Sequence, residues 1–265
     1  MPTAESNGVR LHYEISGLAD APILVLVNSL GSSLQMWNRV LTLFEERLRV
    51  LRSDMRGHGQ SEVVAEPFTI EQLGRDVLNL MDAAQAERAS ICGVSLGGMV
   101  GLWLGIHAPD RVDKLILANT AARIGTKEIW EQRIETVNAI GMSALATATL
   151  ERRFTPDYRN KHPEEMERIR RMIAAIDPHG YTACCAVLRD ADLQEHAVQV
   201  MAASLVIAGT YDPATPPADG RTLHAAIQHS VYVELKASHM SAWERADEFA
   251  SAVVEHLTAT EVTHG

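Results

Sequence analysis

Three cysteines among 265 residues are too few to build a disulfide framework. Their number is odd, Cys184 and Cys185 are adjacent, and none has metal-ligand spacing. The pattern suits a reducing compartment and predicts the cytoplasm. The opening MPTAESNGVR lacks a basic region followed by an apolar stretch, which predicts no signal peptide. No apolar run reaches the ~18 residues that a membrane span requires. Positive charge is also short, with 24 Lys and Arg against 34 Asp and Glu, a formal net charge of −10. That balance argues against nucleic acid or an anionic membrane as partner. What is present is ordinary for a globular protein, 46% hydrophobic and 22% charged, and long enough for one large domain with a sizeable core.

Short β-rich runs alternate with helical patterns along the chain. Val9–Ile15 alternates and reads as an edge strand, whereas the continuously apolar Ile23–Val27 reads as a buried one. Leu48–Arg52, Ala89–Cys92, Lys114–Ala118, Ser204–Ala208 and Val231–Leu235 are the further strands. Between them lie helical patterns at Leu34–Glu46, Ile70–Ala86, Leu96–Ala108, Pro217–His229 and Ala242–Leu257. Such alternation predicts an α/β fold, a mainly parallel sheet with helices on both faces. From 122 to 189 no strand pattern appears, and Pro156, Pro163 and Pro178 punctuate an amphipathic helical stretch. We read 122–189 as a helical cap inserted into a core formed by 1–121 and 190–265. Residues 122–190 hold 11 Lys and Arg against 10 Asp and Glu, and the remainder holds 13 against 24. A near-neutral lid on an acidic body does not itself repel a small anion.

One stretch carries chemistry. In ASICGVSLGGMVG, Ala89 to Gly101, an apolar strand ends by setting Ser95 between Gly93 and Gly97, and a helical pattern follows. A serine at a sharp strand-to-helix turn has its hydroxyl lifted clear of the sheet, and side chains at the flanking glycines would collide with backbone. Such a serine is a poor nucleophile until a base, oriented by a carboxylate, takes its proton. Asp212, in SLVIAGTYDPATPP, stands just beyond a late strand, at the sheet edge where ligands bind in open α/β folds. Of the histidines that follow it, His224, His229 and His256 fall in or near helical patterns, and His264 lies in the polar tail. His239, between small residues in ASHMSAWE, follows the last strand and is the candidate base. Two backbone N–H groups should hold the oxyanion: that of Leu96, after the nucleophile, and that of Leu30, in the loop after Ile23–Val27. The residues thus point to a serine hydrolase of ester-like bonds with a lidded small-molecule pocket and no metal or organic cofactor.

The elbow GVSLGG, the run DMRGHGQS at Asp54–Ser61, GTYDPATPP and ASHMSAWE resemble the α/β-hydrolase superfamily along nearly the whole chain. The usual His-Gly opening of the oxyanion loop is Asn28-Ser29 here, a departure that leaves the backbone donor in place. Within the superfamily, NSLGSSLQMW, NTAARIGTKEIWEQRIETV and CCAVLRDADL look like the 3-oxoadipate enol-lactonases of bacterial aromatic catabolism. This resemblance implies that a small lactone carrying a carboxylate is opened to 3-oxoadipate. A site for it should offer a cation. Trp130 and Arg133 stand three apart in EIWEQRIETV and share one helix face, Trp130 to line the pocket and Arg133 to reach the carboxylate. The competing expectation is that Trp130 packs the cap and Arg133 pairs with a surface acid. His58 is expected to fix a tight loop, and Met36, Met99 and Met240 to fill the core. Asn119 ends an earlier strand where some relatives keep their acid, and it cannot serve as that carboxylate. A general carboxylesterase, a carbon–carbon bond hydrolase and a ligand-binding receptor on the same frame remain open. Nothing in the sequence sets the oligomeric state.

Overall fold

The protein is described by a computed structural model covering residues 2–64 and 66–259; His264 lies outside the described residues. Among the described residues eight strands form one sheet: β1 (Thr3–Ser6), β2 (Val9–Gly17), β3 (Ile23–Val27), β4 (Arg49–Ser53), β5 (Ala89–Val94), β6 (Val112–Ala118), β7 (Ala203–Gly209) and β8 (Ser230–Leu235). Their order is β1-β2-β4-β3-β5-β6-β7-β8. β1 and β2 pair antiparallel, as do β2 and β4, and every other pairing is parallel. The inner parallel strands β3, β5 and β7 are the continuously apolar ones because helices cover both of their faces. Val9–Ile15 proves not to be the edge: β1 lies outside it, joined by a tight turn at Asn7 and Gly8, both at positive φ. An Asn-Gly pair before an alternating run is a hairpin signal that finds this strand.

The helices of the core are α1 (Asn38–Glu45), α2 (Ile70–Ala83) and α3 (Leu96–His107). The connection from β3 to β4 moves one way along the sheet, and those from β4 to β5 and β5 to β6 move the other. Right-handed crossovers therefore set α1 on one face and α2 and α3 on the opposite one. α3, LGGMVGLWLGIH, is apolar on every side and almost wholly buried against β5, β6 and α2. α2 opens with a reciprocal capping box between Thr69 and Gln72.

Between β6 and β7 the chain is helical only: α4 (Lys127–Arg153), α5 (Pro156–Lys161), α6 (Pro163–Ala174) and α7 (Pro178–Asp190). Pro156, Pro163 and Pro178 each stand in a first turn, where a missing N–H costs nothing. α4 is broken at Gly141, whose φ of +75° interrupts the helix. Among the described residues three helices follow β7: α8 (Pro217–Ala226), then α9 (Ser241–Glu244) and α10 (Ala246–Thr258) after β8. α10 packs on α1. The expected helix Ala242–Leu257 is thus divided at Arg245, and Leu34–Glu46 begins with a 3-10 turn at Leu34–Trp37 before α1. Among the described residues no helix is long and apolar enough to cross a membrane.

Candidate active site

The C-terminal ends of the parallel strands share one edge, and the loops leaving β3, β5, β7 and β8 converge there. Ser95 sits between β5 and α3 with φ +59° and ψ −118°, a region that non-glycine residues avoid and that functional sites keep under strain. The surroundings hold it there. Its N–H donates to Ala118 O at 3.0 Å, and its carbonyl accepts from the Thr120 hydroxyl at 2.7 Å. A Cβ on Gly93 would stand 2.1 Å from Gly97 O, and one on Gly97 would stand 2.2 Å from Val27 O. Both positions exclude any side chain, so the turn fits only this glycine pattern.

Asp212 and His239 meet behind the cavity that Ser95 opens on. His239 Nδ1 lies 2.8 Å from Asp212 Oδ2, with the carboxylate buried. The same oxygen accepts from Asn119 Nδ2 at 3.0 Å and from the Thr215 hydroxyl at 2.8 Å. The other oxygen accepts the N–H groups of Ala214 and Thr215, at 2.8 and 3.1 Å. Burial by itself raises the carboxyl pKa, but the His239 charge and these donors outweigh it and hold Asp212 below the ordinary carboxylate value. Asn119 is fixed in turn by Ser241, whose hydroxyl donates to Asn119 Oδ1. The residue that cannot be the acid thus supports the candidate for it.

Ser95, His239, Leu30, Trp130 and Arg133 all line one cavity of about 210 Å³. Asp212 and Leu96 do not line it: the first stands behind His239, and the second is the buried first residue of α3. Among the described residues, the N–H groups of Leu30 and Leu96 donate to no protein acceptor. Asn28, at the departure from the usual loop opening, is held at both ends of its amide: its Nδ2 donates to Ser53 O at 2.7 Å and its Oδ1 accepts from Trp37 Nε1 at 2.8 Å. Trp130 packs on the core and donates to Ile124 O at 2.6 Å while also lining the cavity. Arg133 donates to the Tyr181 hydroxyl at 3.2 Å.

Sequence reasoning missed two further cations. Arg152 and Arg153, at the end of α4, line the same cavity as Arg133. None of the three has an acidic group within 4.0 Å among the described residues. Burial pushes the Arg153 guanidinium down to about 10, aided by the positive charges of Arg152 and Arg133, and it stays cationic at neutral pH. Burial also lowers Arg152, with Arg133 contributing. The Arg-Arg pair looks in sequence like any basic helix end that complements the macrodipole, so no local signal separated it from a solvated one. Among the described residues no cluster of three or more His, Cys, Asp or Glu is arranged to hold a metal ion.

A family model described as the alpha/beta hydrolase fold matches residues 22–246. The chain is 39% identical to 3-oxoadipate enol-lactonase 2 of Acinetobacter baylyi, over 95% of this chain and 94% of that one. It is 36% identical to 3-oxoadipate enol-lactonase 1 of the same organism, over 92% and 91%. Among solved structures, the enol-lactonase from Burkholderia xenovorans LB400 superposes with a TM-score of 0.96 at 46% identity, covering 97% of this chain and 100% of that one.

Proposed function

We propose that this chain, which belongs to the α/β-hydrolase family and groups within it with the 3-oxoadipate enol-lactonases, opens 3-oxoadipate enol-lactone to 3-oxoadipate. The observation that carries the substrate class is the pair Arg133 and Arg152, which line the cavity of Ser95 and His239 without an acidic partner among the described residues. Half-buried cations without a counter-ion lose part of their solvation, and a bound carboxylate offsets that loss. The lactone brings one on its carboxymethyl arm.

Ser95 Oγ attacks the lactone carbonyl while His239 accepts its proton. The Leu30 and Leu96 N–H groups receive the charge that develops on the carbonyl oxygen, where fixed dipoles need no reorganisation. Collapse breaks the ring C–O bond, and the oxygen leaves as an enol that takes the proton from His239 and tautomerises to the ketone. Water, giving its proton to His239, then attacks the acyl carbonyl; the bond to Ser95 breaks, His239 returns the proton to Ser95 Oγ, and the product leaves with its second carboxylate. Asp212 holds the imidazole in the productive tautomer and stabilises its cation. The helices α4 to α7 act as the lid over this reaction.

The test is a turnover panel of the enol-lactone, a neutral aryl ester and a ring-cleavage diketone, run on the unmodified protein and on Ser95→Ala. The lactone should be the best substrate, and the variant should lose on the order of 10⁴-fold in kcat with the fold intact. Preference for the diketone would assign carbon–carbon hydrolysis instead, and a single stoichiometric event without turnover would assign a receptor. Undiminished turnover by a folded Ser95→Ala would end the nucleophile assignment.

A further inference from the structure

Arg153 is an expensive residue to bury. It is 6% exposed, carries its charge at neutral pH and meets no carboxylate within 4.0 Å among the described residues. Its hydrogen bonds go to the backbone of the loop after β3: Nη1 donates to Gly31 O at 3.1 Å and Nη2 donates to Leu30 O. The peptide plane between those residues is pinned on its opposite edge as well, because the Gly31 N–H donates to His58 Nε2 at 3.1 Å. Gly31 takes a φ of +67°, and a Cβ there would lie 2.9 Å from the Tyr181 ring and 3.3 Å from Arg153. The loop segment that carries the Leu30 N–H is thus folded around this guanidinium.

The backbone of the same helical turn holds the opposite wall. Arg153 O accepts the Met240 N–H at 3.0 Å, and Arg152 O accepts the Ser238 hydroxyl at 2.9 Å. Ser238 and Met240 flank His239. One turn at the end of α4 therefore grips both the loop of the general base and the loop of the oxyanion donor, which stand more than a hundred residues apart in sequence.

The geometry points to Arg153 as a positioning residue of the acyl-transfer site, which sets the Leu30 N–H against Ser95 and His239 by clamping two consecutive carbonyls of the loop after β3. The inference rests on the acyl-transfer reading above and assigns Arg153 a task other than binding the substrate carboxylate. A planar guanidinium suits it, since its fork presents two parallel N–H groups at fixed spacing, whereas an ammonium offers a point charge.

Arg153→Met and Arg153→Lys should be compared with the unmodified protein for kcat and KM on the anionic lactone and on 4-nitrophenyl acetate. Thermal unfolding and near-UV circular dichroism report their folding. A misplaced oxyanion donor should lower kcat by about 10²-fold on both substrates, the loss seen when such a donor is removed. KM should hardly move, and affinity for a neutral trifluoromethyl ketone, which forms the tetrahedral adduct, should fall with kcat. Arg153→Lys should recover only a small part of the loss. A loss confined to the lactone and expressed in KM would overturn the proposal and make Arg153 a carboxylate ligand. Full recovery by lysine would overturn it too, since charge alone would then suffice, as would undiminished kcat in a folded Arg153→Met. The ester arm decides the matter even if the lactone is not the substrate. Absence of turnover on either substrate by the unmodified protein would defeat the acyl-transfer reading, and this proposal with it.

Discussion

Asp212 accepts five hydrogen bonds, from His239, Asn119, the Thr215 hydroxyl and the backbone N–H groups of Ala214 and Thr215. A carboxylate so supplied stays ionised in a buried place, which the proposed role beside an imidazolium requires. The charge at the other side of the cavity is of a different kind. Arg133 has the Tyr181 hydroxyl as its one hydrogen-bond partner among the described residues, whereas Arg153 donates to two backbone carbonyls. Arg133→Ala should therefore weaken kcat/KM for the anionic lactone by ~1.5–3 kcal/mol, the worth of a hydrogen bond to a charged group. A neutral aryl ester should be spared. Equal losses on the two substrates, or none on either, would remove Arg133 from carboxylate recognition and leave Arg152 as the candidate.

At the scale of elements, two glycines do opposite work. Gly97 lets α3 start against the end of β3: an added Cβ would approach the Val27 carbonyl oxygen to 2.2 Å and that of Asn28 to 2.7 Å. Backbone cannot yield there without moving both the elbow and the oxyanion loop. Gly141 breaks α4 at a φ of +75° with nothing within 4 Å of its would-be Cβ, so the only obstacle to a side chain is the backbone conformation itself. Its ψ of 175° places Gly141 in a region that only glycine occupies readily, so Gly141→Ala should cost about 1–3 kcal/mol, with ester turnover retained. Gly97→Ala should lose stability more steeply and lose turnover with it. Thermal unfolding and ester kinetics on the pair decide the point: equal behaviour would mean that the close approach at α3 does not set the elbow. The break in α4 also separates the half that bears Trp130 and Arg133 from the half that Arg152 and Arg153 tie to the core.

Across the whole molecule, stability should depend on pH through His58. The ring is buried in the loop between β4 and α2, its Nε2 accepts the Gly31 N–H and its proton on Nδ1 faces Arg56 O. Burial lowers its pKa from 6.5 to about 4, with Arg153 adding to the effect while the Arg56 carbonyl, Asp54 and Asp177 oppose it. Between those two values the unfolded chain binds a proton that the folded one refuses, so stability rises with pH across the window and is lost as pH falls through it. The shift is worth at most about 3 kcal/mol at 1.36 kcal/mol per unit. His58→Gln retains an acceptor for the Gly31 N–H without a titrating group. Its melting temperature should fall less than that of the unmodified protein between pH 6.5 and 4. Parallel curves would show that His58 is not the source of the slope.

The alternation of strands and helices, the glycine-flanked Ser95 and the order of Ser95, Asp212 and His239 are written locally, because short continuous apolar runs mark the buried strands and each candidate residue follows one of them within a few positions. The elbow is legible for the same reason: its steric demands fall on residues two positions either side of the serine. Even the missed strand β1 has a local mark in Asn7-Gly8. The supports of the site have none. Asn119 reaches Asp212 across 93 residues, and Arg153 reaches Leu30 across 123. An asparagine after a strand and an arginine at a helix end look the same whether they face solvent or a catalytic loop. Only the sheet order, which lays β6 beside β7, and the packing of α4 over the loops of β3 and β8 decide that they face the site. Residue chemistry follows from the local sequence, but a contact's energy depends on which distant group arrives beside it, and that is settled when the chain closes on its core.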